Sequence, residues 1–156
     1  MTSHSTTSHA YGIALIAVIV GGAISIGYYQ LYYIPELNAK PIIPEKVLHP
    51  GSNTTISIVA GSLNQDQQQN FVPKKQEVQL GVDNSVVWTN QDQAAHFVTP
   101  DKDFKDAYSG EFGSDAILPG KTYTFLFTQL GQIPYYCKVH PWMKGEIDIV
   151  PGALTS

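Results

Sequence analysis

The sequence predicts an all-β sandwich carried behind a single N-terminal transmembrane helix. Three observations support this. An uninterrupted apolar run fills residues 10–29, and no charged residue occurs before Glu36. Beyond residue 50, apolar residues recur with period two in short runs separated by turn-forming residues. No stretch of that region repeats with the period of a helix.

The helix comes first. Ala10 to Tyr29 reads AYGIALIAVIVGGAISIGYY. Twenty residues at the helical rise cover a hydrocarbon core of about 30 Å, and residues 30–34 can extend the span. Tyr28, Tyr29, Tyr32 and Tyr33 cluster at its far end, where an aromatic belt would meet lipid headgroups. A cleaved signal peptide would show a basic start, a shorter apolar core and an A-x-A-like site. Here nothing basic precedes the run, and Gly21-Gly22-Ala23 is the nearest approach to a cleavage site. The reading is a short polar tail, 1–9, then an anchor that meets the lipid bilayer through residues 10–34. Lys40 and Lys46 follow it, but Glu36 and Glu45 stand beside them, so charge gives only a weak signal for orientation.

The stalk is next. Residues 35–50 hold four prolines (PELNAKPIIPEKVLHP), which predicts extended, semi-rigid chain. Residues 51–156 form the domain. Its strands are read at Thr54–Val59, around Val78 and Leu80, around Val86 and Trp88, at Thr122–Phe127, and at Ile147–Ile149. Turns are read at Gly81–Asn84, Pro100-Asp101, Leu118–Lys121 and Leu130-Gly131. Short strands with frequent turns indicate a sandwich or barrel. Trp88 is expected to fill the interior.

Composition narrows the function. Thirteen acids against nine bases give a formal charge of -4, and every base is Lys. A nucleic-acid binder would show a basic stripe, so no nucleic-acid partner is expected. One cysteine excludes an intramolecular disulfide, a CxxC redox pair and a four-Cys metal site.

That cysteine carries the chemistry. Cys137, His140 and Met143 stand at C-x2-H-x2-M near the end of the domain. Thiolate, imidazole and thioether are soft-to-borderline ligands that suit copper, whereas magnesium and calcium want oxygen. A second imidazole would complete a His2Cys plane with Met as the long axial ligand, the donor set of a mononuclear blue-copper site. Outside the tail and stalk the remaining histidine is His96, after the strand that carries Trp88.

Three stretches then match a known pattern. They are Gly81 to Asn90 running on to His96, Phe112-Gly113-Ser114 with Leu118–Tyr123, and the Cys137 loop through Ile147. Asn70-Phe71-Val72-Pro73 fits the strand before the first. With these the chain resembles the cupredoxins, closest to the plastocyanin, pseudoazurin and amicyanin group, over residues 54 to 150. The resemblance implies a Greek-key β-sandwich that binds one type 1 copper ion and carries single electrons by Cu(II)/Cu(I) cycling. It implies His96, Cys137 and His140 as ligands and Met143 as the axial ligand. It implies redox protein partners docking on an apolar face near His140, Pro141 and Trp142. With the anchor, it implies a copper domain on the extracytoplasmic (periplasmic or pseudoperiplasmic) side of a membrane.

Departures from the pattern are informative. Many relatives carry Asn after the first His; here Phe97 leaves only its backbone N–H to meet the sulfur. Amicyanin-like loops often carry Pro before the second His; here Val139 keeps an N–H, which allows a second N–H···S bond and a higher potential. Pro134 lies in the strand entering Cys137, so that strand should be at an edge or bulged there.

Other readings stay open at this point. Zinc could use Cys and two His, though Met is a poor zinc ligand. Met143 could pack as core, leaving an open copper site that acts on a small molecule such as a nitrogen oxide. The site could deliver copper to another protein. If Met1 is removed, Thr2-Ser3-His4 forms an amino-terminal X-X-His arrangement able to bind Cu(II). Gln65–Asn70 reads as a solvated loop.

Overall fold

The computed structural model describes residues 7–37, 39 and 42–152. The chain divides into two compact units, Met1–Lys40 and Pro41–Ser156. The first is helical. α1 (Thr7–Tyr28) runs into a π-helical turn, Tyr29–Tyr33, and one further α-turn, α2 (Ile34–Leu37). Ala10–Leu37 has a best-window mean hydropathy of 2.1 and none of that window is buried, so it is long and apolar enough to cross a membrane. Tyr28 stacks on Tyr32 with ring centroids 5.7 Å apart, and Tyr29 on Tyr33 at 5.3 Å. The Ser25 hydroxyl is absorbed within the helix, donating to the Gly21 carbonyl at 2.8 Å.

The second unit opens with a single helical turn, α3 (Glu45–Leu48), where extended chain was expected. The turn is tied to the domain through Val47, whose carbonyl accepts from the buried Asn84 Nδ2 at 2.9 Å. The Lys46 stem packs at Gly81, whose φ of +75° suits glycine. His49 pairs with Glu45 on the exposed surface, at 3.1 Å.

The strands are β1 (Asn53–Ile58), β2 (Phe71–Val72), β3 (Lys75–Gln79), β4 (Ser85–Asn90), β5 (Thr99–Pro100), β6 (Lys105–Asp106), β7 (Gly110–Glu111), β8 (Thr122–Leu126), β9 (Gly131–Cys137) and β10 (His140–Val150). They form two four-stranded sheets, β2-β1-β4-β8 and β3-β10-β9-β5, with β6-β7 as a separate hairpin. β1 runs parallel to β4, and β3 to β10; the other pairs are antiparallel. This is the two-sheet sandwich that the sequence predicts.

Alternation builds the core. Val86, Trp88 and Asn90 on β4, and Ile133, Tyr135 and Cys137 on β9, all point inward. Trp88 from one sheet meets Tyr135 from the other edge-on at 5.7 Å, with Tyr123 at 5.4 Å and Phe112 at 5.7 Å. Gly145 on β10 is buried because the Tyr135 ring tip occupies the space a Cβ would need. Cys137 and Met143 belong to this same buried cluster, so the C-x2-H-x2-M motif is the upper end of the core.

Pro134 sits in β9 without costing a bond to β10. Its partner Glu146 donates its N–H the other way, to Lys74 at 2.9 Å, so the two form a non-hydrogen-bonded pair. The nitrogen of Pro134 thus faces the β5 side, where the ladder ends at Tyr135. β9 lies inside its sheet, between β10 and β5, and is not bulged at Pro134, so the expected edge or bulge is corrected: Asp101 N–H donates to Pro134 O at 3.0 Å, and Pro134 has no N–H to return, just where β5 ends.

Candidate metal centre

The motif spacing becomes geometry at the β9–β10 turn. Only Lys138 and Val139 separate Cys137 from His140, and these two pair directly across the hairpin. Directly paired residues project to the same face about 5 Å apart. Beyond them the register shifts: Lys144 pairs with Tyr136, so residues 141–143 are extra and bulge at the tip. Pro141, Trp142 and Met143 occupy that bulge. Met143 turns inward and is fully buried, whereas Trp142 lies half-buried, its Nε1 donating to the Ser62 carbonyl at 3.2 Å.

His96 arrives from the other sheet. After β4 ends, its backbone is clamped to Ile117 by two bonds, His96 N–H to Ile117 O at 3.1 Å and the reverse at 2.8 Å. Asn90, fully buried, fastens the same corner: its Nδ2 donates to Ala94 O at 2.8 Å and to Ile117 O at 2.7 Å. Ser114 Oγ accepts the Val98 N–H at 2.8 Å. The Phe112-Gly113-Ser114 and Leu118–Lys121 stretches therefore serve to hold the His96 segment.

The three donors converge. His96 Nδ1, Cys137 Sγ and His140 Nδ1 lie 3.9, 3.6 and 3.1 Å apart pairwise, for Cys–His96, Cys–His140 and His–His respectively. One ligand atom from each falls within 4.8 Å of the others. His96 and Cys137 are fully buried; His140 is half-buried. The sulfur receives the Phe97 N–H at 3.4 Å, the bond expected despite the missing Asn.

Asp92 is the residue that motif reading missed. It is 5% exposed, and its Oδ2 holds His96 Nε2 at 2.8 Å. That bond leaves Nδ1 as the nitrogen facing the cluster. Asp92 is itself held by the N–H groups of Gly61, Leu63 and Gln93 at 3.0, 3.1 and 2.9 Å. Burial pushes its carboxyl up, but the His96 bond and the three N–H donors outweigh burial and keep it ionised. The available signal was Asn90-x-Asp92 four residues before His96, which resembles any polar turn.

Charges inside the site are mutually set. For Cys137, burial raises the thiol, but the His96 bond and the N–H groups of Phe97, Val139 and His140 lower it further. For His96, burial lowers the imidazole, but Cys137 and Asp92 raise it above its ordinary value. His140 is lowered, by burial first and then by the neighbouring His96 charge. The two Nδ1 atoms face each other at 3.1 Å. A thiolate and two imidazole nitrogens in a mostly buried pocket fit copper in the His2Cys arrangement.

His140 is the member of this cluster nearest solvent. Its ring lies 5.2 Å from Trp142, with exposed Val139 and Pro141 beside it. His4 lies outside the described residues.

Comparison with known proteins gives the same direction. Residues 59–150 match the copper binding proteins of the plastocyanin/azurin family. The chain is 29% identical over 75 residues to amicyanin of Paracoccus versutus, covering 47% of this chain and 54% of amicyanin. The match thus spans about half the length of that relative. The fold is similar to a purple cupredoxin from Nitrosopumilus maritimus, with a TM-score of 0.52 and 25% identity over 63% of this chain and all of that one.

Proposed function

The chain belongs to the plastocyanin/azurin family of copper-binding proteins, and on that footing we propose that it is a membrane-anchored one-electron carrier. His96, Cys137 and His140 would hold one copper ion, with Met143 as a further, weaker ligand. The observation that carries this reading is the convergence of two imidazole Nδ1 atoms and one sulfur at the core's upper end, with a single ligand edge near solvent.

Bound copper supplies the reversible Cu(II)/Cu(I) couple. The protein supplies the rest. The β9–β10 hairpin and the Ile117 clamp hold the backbone of the donors, so little rearrangement accompanies a change of charge. Asp92 sets which nitrogen of His96 is free. The N–H groups directed at the Cys137 sulfur stabilise thiolate charge and favour the reduced state. Burial of His96, Cys137 and Met143 keeps water out. A redox protein partner docks over Val139, Pro141 and Trp142 and exchanges electrons through the His140 edge. The apolar helix holds the chain in a membrane with the copper domain on the extracytoplasmic side.

The test uses the full chain in detergent, loaded with Cu(II), with visible absorption and electron paramagnetic resonance recorded together. An intense thiolate-to-copper band with narrow copper hyperfine splitting is expected, and Cys137→Ala abolishes it. A colourless copper-loaded chain, or one that prefers zinc, overturns the reading.

A further inference from the structure

A single peptide group joins the rim of the cluster to its buried centre. The Ser62 carbonyl accepts the Trp142 Nε1–H at 3.2 Å. The Leu63 N–H belongs to the same planar peptide unit, and it donates to Asp92 Oδ2 at 3.1 Å. That same oxygen accepts His96 Nε2–H at 2.8 Å. An unbroken chain of hydrogen bonds thus runs from the indole, through a peptide and a carboxylate, to the imidazole.

The plane of this peptide depends on those two bonds. Leu63 is 56% exposed, so its side chain supplies little burial. Gly61, just before, has a φ of +87°, where glycine moves at little cost. Ser62 is fully buried, but its hydroxyl is directed at the carbonyls of Val59 and Asn70, at 2.6 and 3.3 Å. The flanking peptides close their own turn, Ser62 N–H to Val59 O at 3.3 Å and Asn64 N–H to Gly61 O at 2.9 Å. The two oxygens of Asp92 are also not equivalent. Gly61 and Gln93 N–H donate to Oδ1. Among the described residues, the Leu63 N–H is the backbone donor to Oδ2, the oxygen that holds His96. A bond at the Ser62 oxygen polarises the amide and strengthens that donor.

We propose that Trp142 is a positioning residue for His96: its indole N–H fixes the Ser62–Leu63 peptide, which keeps Asp92 Oδ2 on His96 Nε2 and Nδ1 turned toward the cluster. Its consequence for metal rests on the copper reading, but the chain of bonds itself needs no metal. The Trp142 ring also lies 5.2 Å from the His140 ring, a second and direct route to the cluster. Trp142→Phe separates the two routes, because it keeps an aromatic ring beside His140 and removes the donor.

The first arm uses the metal-free full chain in detergent and follows amide hydrogen exchange by nuclear magnetic resonance. In Trp142→Phe the Leu63 N–H should exchange roughly threefold faster or more, while the Gln93 N–H, bonded to the other oxygen, keeps the wild-type rate. The second arm follows copper retention against a chelator. Trp142→Phe should weaken it about threefold, within the reach of one neutral hydrogen bond. In an Asp92→Ala background, adding Trp142→Phe should weaken it no further, since the chain is already cut. An unchanged Leu63 rate, or equal acceleration at Leu63 and Gln93, overturns the proposal. So does a further loss of retention in the Asp92→Ala background, which would place the effect in the ring contact with His140. If Asp92→Ala does not fold, the exchange comparison decides alone. A chain that takes up no copper defeats the copper reading and leaves the exchange result standing.

Discussion

Two buried carboxylates, Asp92 and Asp106, solve the same problem for different ends. Each receives four donors. Asp106, fully buried, takes the N–H groups of Tyr108, Ser109 and Thr128 at 2.9, 2.9 and 2.7 Å and the Thr128 hydroxyl at 2.6 Å. Asp92 takes three N–H groups and, at 2.8 Å, the imidazole of His96. In both, burial pushes the carboxyl up and the donors more than reverse it. The difference is one donor. All of Asp106's donors end in the scaffold, so its charge ties the β6–β7 hairpin to the segment after β8. One of Asp92's donors continues through an imidazole ring to the Cys137 sulfur. The same charge that fastens a loop therefore also orients the His96 ring toward the cluster.

The comparison breaks first at Asp106. Asp106→Asn replaces one acceptor oxygen with an N–H₂ group facing donors, and we expect a loss of about 2–4 kcal/mol in chemical denaturation at neutral pH. The copper band should be unchanged. The sign with pH follows from its lowered folded value. Its contribution is complete above the ordinary carboxylate range and is lost as pH falls through the folded value. The stability gap between wild type and variant should therefore close on acidification. A gap that persists at the lowest pH would mean the charge is not what Asp106 contributes.

Asp92→Asn sharpens the comparison, because its main effect should appear at the metal. A carboxylate that holds the far nitrogen of a metal-binding histidine is worth about 10–100-fold in metal affinity, and we expect copper retention against a chelator to weaken within that range. Loss of the negative charge behind His96 should also raise the reduction potential. If Asp92→Asn costs stability alone and leaves affinity and potential where they were, the two aspartates are equivalent and His96 is oriented by its backbone clamp.

What was legible in the sequence divides along the same line. Cys137 and His140 declare themselves because a two-residue hairpin makes their spacing a geometric fact, and His96 follows as the remaining imidazole. The main strands are legible because one face is buried, as in β4 and β9. Asp92 and Asp106 are not, since both lie in polar stretches that read as solvated turns, and their burial comes from distant chain. Gln65–Asn70 likewise reads as solvent-exposed, yet Asn70 is buried. The turn α3 escaped because four residues carry no period and its neighbours are prolines. β5, β6 and β7 are two residues each, too short for alternation to show.

The smallest effect tests the sulfur itself. Cys137 is lowered in part by the Val139 N–H, a donor that a proline would lack. Val139→Pro should remove one hydrogen bond to the thiolate, worth about 0.5–1.5 kcal/mol. For a one-electron couple this corresponds to a fall in potential of about 20–60 mV, given about 59 mV per tenfold change. The direction follows from charge: a thiolate with fewer donors gives more electron density to copper and favours Cu(II). Val139 is 49% exposed, so its side chain contributes little packing. Val139→Ala, which keeps the N–H, should therefore leave the potential near wild type in the same voltammetric experiment. Equal shifts in the two variants would place the effect in the exposed rim around His140 and remove the Val139 N–H from the forces that hold the sulfur.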